Sequence, residues 1–212
     1  MMKNTTCKTK IIKWLLLSLG IVVAICVLVI ISKRNYIPAW VNWQEETYEV
    51  LLKTGERTED DDDCAIVTVK LADKHMEVSC DSTGEYFMTD KGIKVQDTLS
   101  TDLDGDGLPE LVTVVWKKGL FGKHRPFWIT SDEKNYSQHV FIYGIDKDGK
   151  VSQKWFASET GILINSMEIM EKNTQIISFE DTNGNCTLWR WEGFGLKFMG
   201  NLSKSKKTIK KI

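Results

Sequence analysis

The chain has 212 residues, of which 10% are aromatic and 27% charged, so it is long enough for one ordinary domain plus an anchor, and composition argues against a disordered chain. The formal charge of −1 hides an asymmetry: residues 1–34 carry six basic side chains and no acid, which leaves 22 of the 28 basic residues against all 29 acidic ones, a net of −7. An acidic body behind a basic, apolar N-terminus argues against nucleic acid as a partner.

In chain order, residues 1–12 read as a cytoplasmic N-terminus and 13–32 as a transmembrane signal-anchor. Trp14 to Ser32 is 19 residues without a charge, dominated by Leu, Ile and Val, close to the roughly 20 that cross a bilayer as a helix. Lys3, Lys8, Lys10 and Lys13 precede it, against Lys33 and Arg34 after it. That bias puts the N-terminus inside and the rest of the chain in the extracytoplasmic space of the cell membrane. Trp14 on one side and Tyr36, Trp40 and Trp43 on the other suit interfacial belts. A cleaved signal peptide is the alternative; against it, the apolar run is long and no A-x-A-like site follows. A lipoprotein reading through Cys26 meets the bulky Ile25 where a small residue is expected.

Residues 33–63 form a juxtamembrane segment and an acidic loop. Trp40, Trp43, Thr47 and Leu51 fall at helical spacing after Pro38, which predicts a short helix over 38–53. Glu59 to Asp63 is an unbroken acidic run, read as a solvated loop or, more sharply, a second cation patch.

Residues 64–202 predict an all-β extracytoplasmic domain. Apolar alternation marks strands at 65–71, 75–80, 85–89, 93–98, 111–116, 126–130, 139–145, 151–157, 162–169, 174–180, 187–192 and 196–200. Asp90-Lys-Gly92, Asp146-Lys-Asp-Gly149, Asn183-Gly184 and Gly193-Phe-Gly195 supply turns between them. Such a series reads as a sandwich, a barrel or propeller-like blades. At 40–50 residues per blade, about 150 residues make about three, too few to close a usual propeller. The tail at 203–212 is basic and reads as a solvated end, with anionic wall polymers or lipid head groups as the sharper alternative.

The stretch with the clearest chemistry is Asp102-Leu-Asp104-Gly-Asp106-Gly-Leu-Pro-Glu110, followed directly by Leu-Val-Thr-Val-Val-Trp116. Carboxylates at alternate positions of a tight, glycine-bearing loop suit a hard cation such as Ca2+. Asp102, Asp104, Asp106 and Glu110 are the expected ligands. An EF-hand needs a carboxylate at loop position 12 and a helix after it; here Thr113 stands there and a strand follows. The bland reading is a solvated acidic turn. Asp181-Thr-Asn183-Gly-Asn185-Cys186 is a weak echo that reads as an Asn-Gly hairpin turn, and Asp146 with Asp148 as another.

The loop and the strand after it resemble the calcium-loop motif of FG-GAP and VCBS repeats, which occur in integrin-type β-propellers and bacterial surface proteins. The match is carried by Asp102, Asp104, Asp106, Gly107 and Glu110 over about fifteen residues. The resemblance implies a structural Ca2+ and a cell-surface role.

Cys64 and Cys80 would sit at the open end of a hairpin over 65–80, where an extracytoplasmic disulfide is permitted but not demonstrated by spacing. Cys186 is then the odd one. His124 and His139 lack zinc-ligand spacing, and no serine-hydrolase, zinc-protease or phosphate-loop motif is present. Arg125, Phe127 and Trp128 stand in an aromatic stretch that suits a protein or carbohydrate partner, or simply core packing. The expectation is a membrane-anchored binding or structural module without catalysis. An accessory subunit of a larger envelope complex, or an extracytoplasmic enzyme acting on surface polymers, are the alternatives.

Overall fold

The structure, a computed structural model, describes residues 5–52, 65–121, 127–157, 161–170 and 175–202. Among the described residues there is one helix, α1 (Thr5–Arg34), followed by twelve strands. Three four-stranded antiparallel sheets follow one another along the chain, each ordered as its strands occur in sequence. The first holds β1 (Glu46–Leu51), β2 (Ile66–Ala72), β3 (His75–Cys80) and β4 (Glu85–Met88). The second holds β5 (Ile93–Thr101), β6 (Glu110–Lys118), β7 (Tyr136–Ile145) and β8 (Val151–Phe156). The third holds β9 (Ile164–Ile169), β10 (Ile176–Asp181), β11 (Cys186–Trp191) and β12 (Leu196–Leu202).

The second sheet is the middle layer, because side chains of a strand alternate between its faces. Leu111, Val115, Phe141, Tyr143 and Ile145 pack with Val67, Val69, Met76 and Val78 of the first sheet. Val112, Val114, Val140 and Ile142 pack instead with Ile164, Met167, Ile177 and Phe179 of the third. With both faces covered, β6 is buried from Glu110 to Trp116 and β7 from Gln138 to Tyr143. That is why their sequences run almost continuously apolar rather than alternating with polar residues. Trp189 and Trp191 share the inner face of the third sheet and pack against its core, as their two-residue spacing predicts.

Buried polar groups fix the seam between second and third sheets. Gln138 donates through Nε2 to the Ile164 carbonyl (2.7 Å) and to Gln96 Oε1 (2.7 Å), and accepts from Ile164 N (2.6 Å). Trp116 Nε1 donates to the same Gln96 oxygen at 2.9 Å. Each group would be costly if left unpaired, so the network selects one register between the layers.

The helix expected over 38–53 is replaced by strand β1 from Glu46. It pairs antiparallel with β2, from Glu46 opposite Leu71 to Leu51 opposite Ile66. Val50 enters the first core and Tyr48 packs against it. A short isolated helix has no comparable source of stability. Trp40 lies before the strand and meets Trp116 edge-on, with centroids 6.0 Å apart. The strand expected over 126–130 is also absent among its described residues, since Phe127 and Trp128 lie in a turn. β6–β7 pairing has ended by Lys118 opposite Tyr136, so no ladder is there to extend. The acidic run 59–63 and the tail 203–212 lie outside the described residues.

The body has two ends. At the α1 end lie the Asp73-Lys74 turn, the β4–β5 link, the β6–β7 loop and Asn35, whose side chain accepts from Lys118 Nζ at 2.6 Å. At the far end lie the β3–β4 turn, the 102–109 loop and the β7–β8 turn. There Thr83 Oγ1 donates to the Asp148 carbonyl at 2.7 Å, and Gly149, at φ +83°, sits so close that a Cβ would lie 2.5 Å from Cys80 Cβ.

The double-sided middle layer makes a direct prediction. Phe141, 1% exposed and stacked on Phe156 at 3.8 Å, should cost about 3–5 kcal/mol when truncated in Phe141→Ala. Phe194→Ala, at a 92% exposed position, should change stability by less than about 0.5 kcal/mol. Urea unfolding of the detergent-solubilised full chain, followed by circular dichroism, separates the two.

Candidate functional site

The loop between β5 and β6 is shaped by its own carboxylates. Asp102 accepts from Gly105 N at 2.8 Å and from Gly107 N at 3.1 Å, while Asp104 accepts from Asp106 N at 3.3 Å and Asp106 from Leu108 N at 2.8 Å. Each bond turns the chain back toward its own side chain, which is how Asp shapes turns. Gly105, at φ +81°, holds a backbone conformation that strains residues with a side chain, and a Cβ there would lie 2.6 Å from Gln175 Nε2, so the end of that flexible side chain would have to move. The three aspartates converge, with one oxygen from each within 4.8 Å of the others. Asp102 and Asp106 are exposed and Asp104 half-buried.

Glu110 is placed differently. It is 1% exposed and accepts from Leu103 N at 2.7 Å through Oε2. Its Oε1 meets Lys154 Nζ at 2.5 Å, and the same ammonium reaches Asp104 Oδ2 at 2.5 Å. Lys154, on β8, therefore bridges the strand end to the loop. Burial pushes the Glu110 carboxyl above its ordinary value, with Lys154 and the Leu103 amide pulling the other way. Burial lowers Lys154, but its two carboxylates outweigh that and hold it above the ordinary lysine value. Lys154 supplies part of the positive charge that the loop sequence asks for.

The donor set of the loop suits a hard cation. A carboxylate carries about four lone-pair positions, so the single or paired amide bonds leave each aspartate with acceptor capacity. Ca2+ takes six to eight oxygens, so three aspartates need further oxygens beside them. Glu110 contributes to the surroundings through Lys154 and stands outside the converging triad.

No family model, no curated protein and no solved structure matches the chain.

The other predicted site residues do not converge on this loop. Phe127 and Trp128 form an exposed edge-on pair at the α1 end, with centroids 4.8 Å apart, and Arg125 lies outside the described residues. Cys64 also lies outside them, while Cys80 is a free thiol whose Sγ is 3.2 Å from Ser82 Oγ. His139 is buried, its ring nitrogens facing the Ala157 carbonyl at 3.1 Å and Ser137 Oγ at 2.9 Å. Asp181 and Asp146 each accept two amides of their own turns, as hairpin turns require. A cavity of about 610 Å3 beside the β6–β7 loop is lined by Asp90, Lys117, Phe121, Phe141 and Phe156 among others. Lys117 is lowered by burial and spends its ammonium on the carbonyls of Gly119 and Leu120.

Two charged features carry no local sequence signal. Lys154 is one. Asp97 is the other: burial, with nearby Glu46 adding repulsion, raises its carboxyl to about 6. It follows a bulge in β5.

Lys154→Met should lower stability by about 1–3 kcal/mol at pH 7, less than a fully buried pair because a quarter of the Lys154 side chain is exposed. The penalty should shrink as pH falls through the raised Glu110 value, where the carboxyl becomes neutral and needs no partner. Adding Glu110→Gln should restore part of the loss; an unchanged pH profile in thermal melts would sink the assignment. For Asp97 the folded value lies above 3.8, so the stability present below pH 3.8 is lost as pH rises through about 6. Asp97→Asn should therefore raise the melting temperature at pH 7 and have little effect at pH 4.

Proposed function

We propose that this chain is a single-pass, membrane-anchored cell-surface module that binds or supports envelope components without catalysis. In this reading α1 is an uncleaved signal-anchor with its N-terminus in the cytoplasm, and the β body stands outside. The observation that carries it is the contrast between α1 and everything after it. From Leu16 to Arg34 the helix is apolar, long enough to cross a bilayer and nowhere buried against the body. Every strand, by contrast, belongs to a packed sheet. The four lysines before the span, against Lys33 and Arg34 after it, support the orientation.

The three sheets are, in the same proposal, propeller-like blades. Each is a meander of four strands in chain order, stacked face to face on its sequence neighbour. The Asp102–Glu110 loop is an FG-GAP-like structural calcium site at the end of the body away from α1. Asp102, Asp104 and Asp106 would hold the ion, which would supply charge neutralisation and fix the entry into β6. Lys154 supplies the charge on the inner side, so the ion meets the outer, exposed oxygens.

Two measurements test this reading. After alkaline carbonate extraction the intact 24.3 kDa chain should remain in the membrane pellet, and protease added to intact cells should remove its β body; a shorter soluble product would mean a cleaved signal sequence. Calcium at 100 times its Kd should add about 2.7 kcal/mol to the stability of the solubilised chain. Asp106→Ala should abolish that gain while leaving the Lys154 contacts in place. Identical melting in chelator and in calcium would reduce the loop to an acidic turn.

A further inference from the structure

The described parts of the β6–β7 connection, residues 119–121 and 127–135, lie at the end of the body where α1 joins it. Its root is fixed to the first residue beyond the helix, through the bond from Lys118 Nζ to Asn35 and the Trp40–Trp116 contact just behind it. Asp132 closes the base of the loop by accepting from Leu120 N at 2.7 Å and Phe121 N at 3.2 Å. Between these anchoring points stand Phe127 and Trp128, 94% and 67% exposed and in edge-on contact with each other. Two large apolar rings held in water forgo the burial that usually makes aromatics core residues.

Their surroundings indicate what covers them. Lys94 and Lys118 lie over the Tyr136 ring, 5.8 and 5.1 Å from its centroid, and Lys74 over Trp43 at 4.8 Å. Lys33 and Arg34 close α1, whose next residue, Asn35, accepts from Lys118. Asp73 and Asp90 stand in the turns of the same end and Glu133 in the loop itself, while the Asp132 carboxylate is turned to loop amides. Exposed Trp and Phe at the end of the body that carries these lysines suit the bilayer interface, where rings rest at the headgroup level and cations meet anionic lipid.

We infer that Phe127 and Trp128 insert into the headgroup region of the bilayer that α1 enters, giving the body a second membrane contact. The inference rests on the anchor reading above. The interface lies at the end of α1, and Asn35 ties the loop root to that level. A body held at two points cannot swing freely about the short segment after the helix.

Photo-crosslinking of the full chain in phosphatidylglycerol–phosphatidylethanolamine vesicles tests it. p-Benzoylphenylalanine is placed in turn at positions 28, 127 and 194, and lipid adducts are read by mass spectrometry. Leu28 reports the anchor; Phe194, in the β11–β12 turn at the far end, is an equally exposed control. Adducts at 28 and 127, each several-fold above 194, are expected. An adduct at 28 with 127 no higher than 194 overturns the second contact and leaves the anchor standing. No adduct at 28 overturns the anchor, and this inference with it. In native membranes, a cross-link from 127 to protein in place of lipid also overturns it.

Discussion

The fold depends on a sheet that must be covered twice. Strands β6 and β7 expose no face of their own: Leu111 and Val115 need the first sheet as much as Val112 and Val114 need the third. Neither flanking sheet is an accessory to a core that already exists. The outer face of the first sheet, where Lys70 pairs with Glu77 at 3.6 Å, can meet water, whereas the middle sheet cannot. The Gln96–Gln138–Trp116 network adds direction to this requirement, because apolar contact tolerates sliding and a saturated set of buried hydrogen bonds does not.

Charge is arranged on the same scaffold. The middle sheet brings β8 beside β7 with a shift in register at Ile142 and Tyr143, and Lys154 on β8 reaches the Asp104 and Glu110 carboxylates. A tethered ammonium differs from a dissolved ion in one respect: it is present whatever the surrounding calcium concentration. The inner half of the acidic loop is therefore partly neutralised by the fold itself, and the outward-facing aspartates have no such built-in counter-charge.

Much of this was legible in the amino-acid order, for physical reasons that also explain the exceptions. Strands with a buried face announce themselves through two-residue alternation, as at 65–71 and 75–80, and turns through Asn-Gly or Asp-x-x-Gly chemistry. The acidic loop was legible because its shape is made by its own side chains. β1 was not: it buries little beyond Tyr48 and Val50, and the nearby Trp40 and Trp43 imitate helical spacing. What makes Glu46–Leu51 a strand is the open edge of β2, on the other side of the acidic run. Lys154 was equally invisible, 44 positions from Glu110, since no local pattern marks which lysine a sheet register will carry to a distant carboxylate. The aromatic stretch was legible as composition only; Trp116 went to the core and Phe127 with Trp128 to the surface.

Each sheet is completed by consecutive strands, so every strand pairs with its neighbour along the chain and no pairing inside a sheet needs a strand from another sheet. Each sheet can therefore close on its own residues before the contacts between sheets are made. In the proposed topology the sheets would emerge one at a time, each able to hydrogen-bond before the next arrives. The delay falls on the apolar face of the middle sheet, which stays open until the last forty or so residues are delivered. That interval is the stage at which this chain is most exposed to sticking to its neighbours, and a stop codon between β8 and β9 would make the interval permanent.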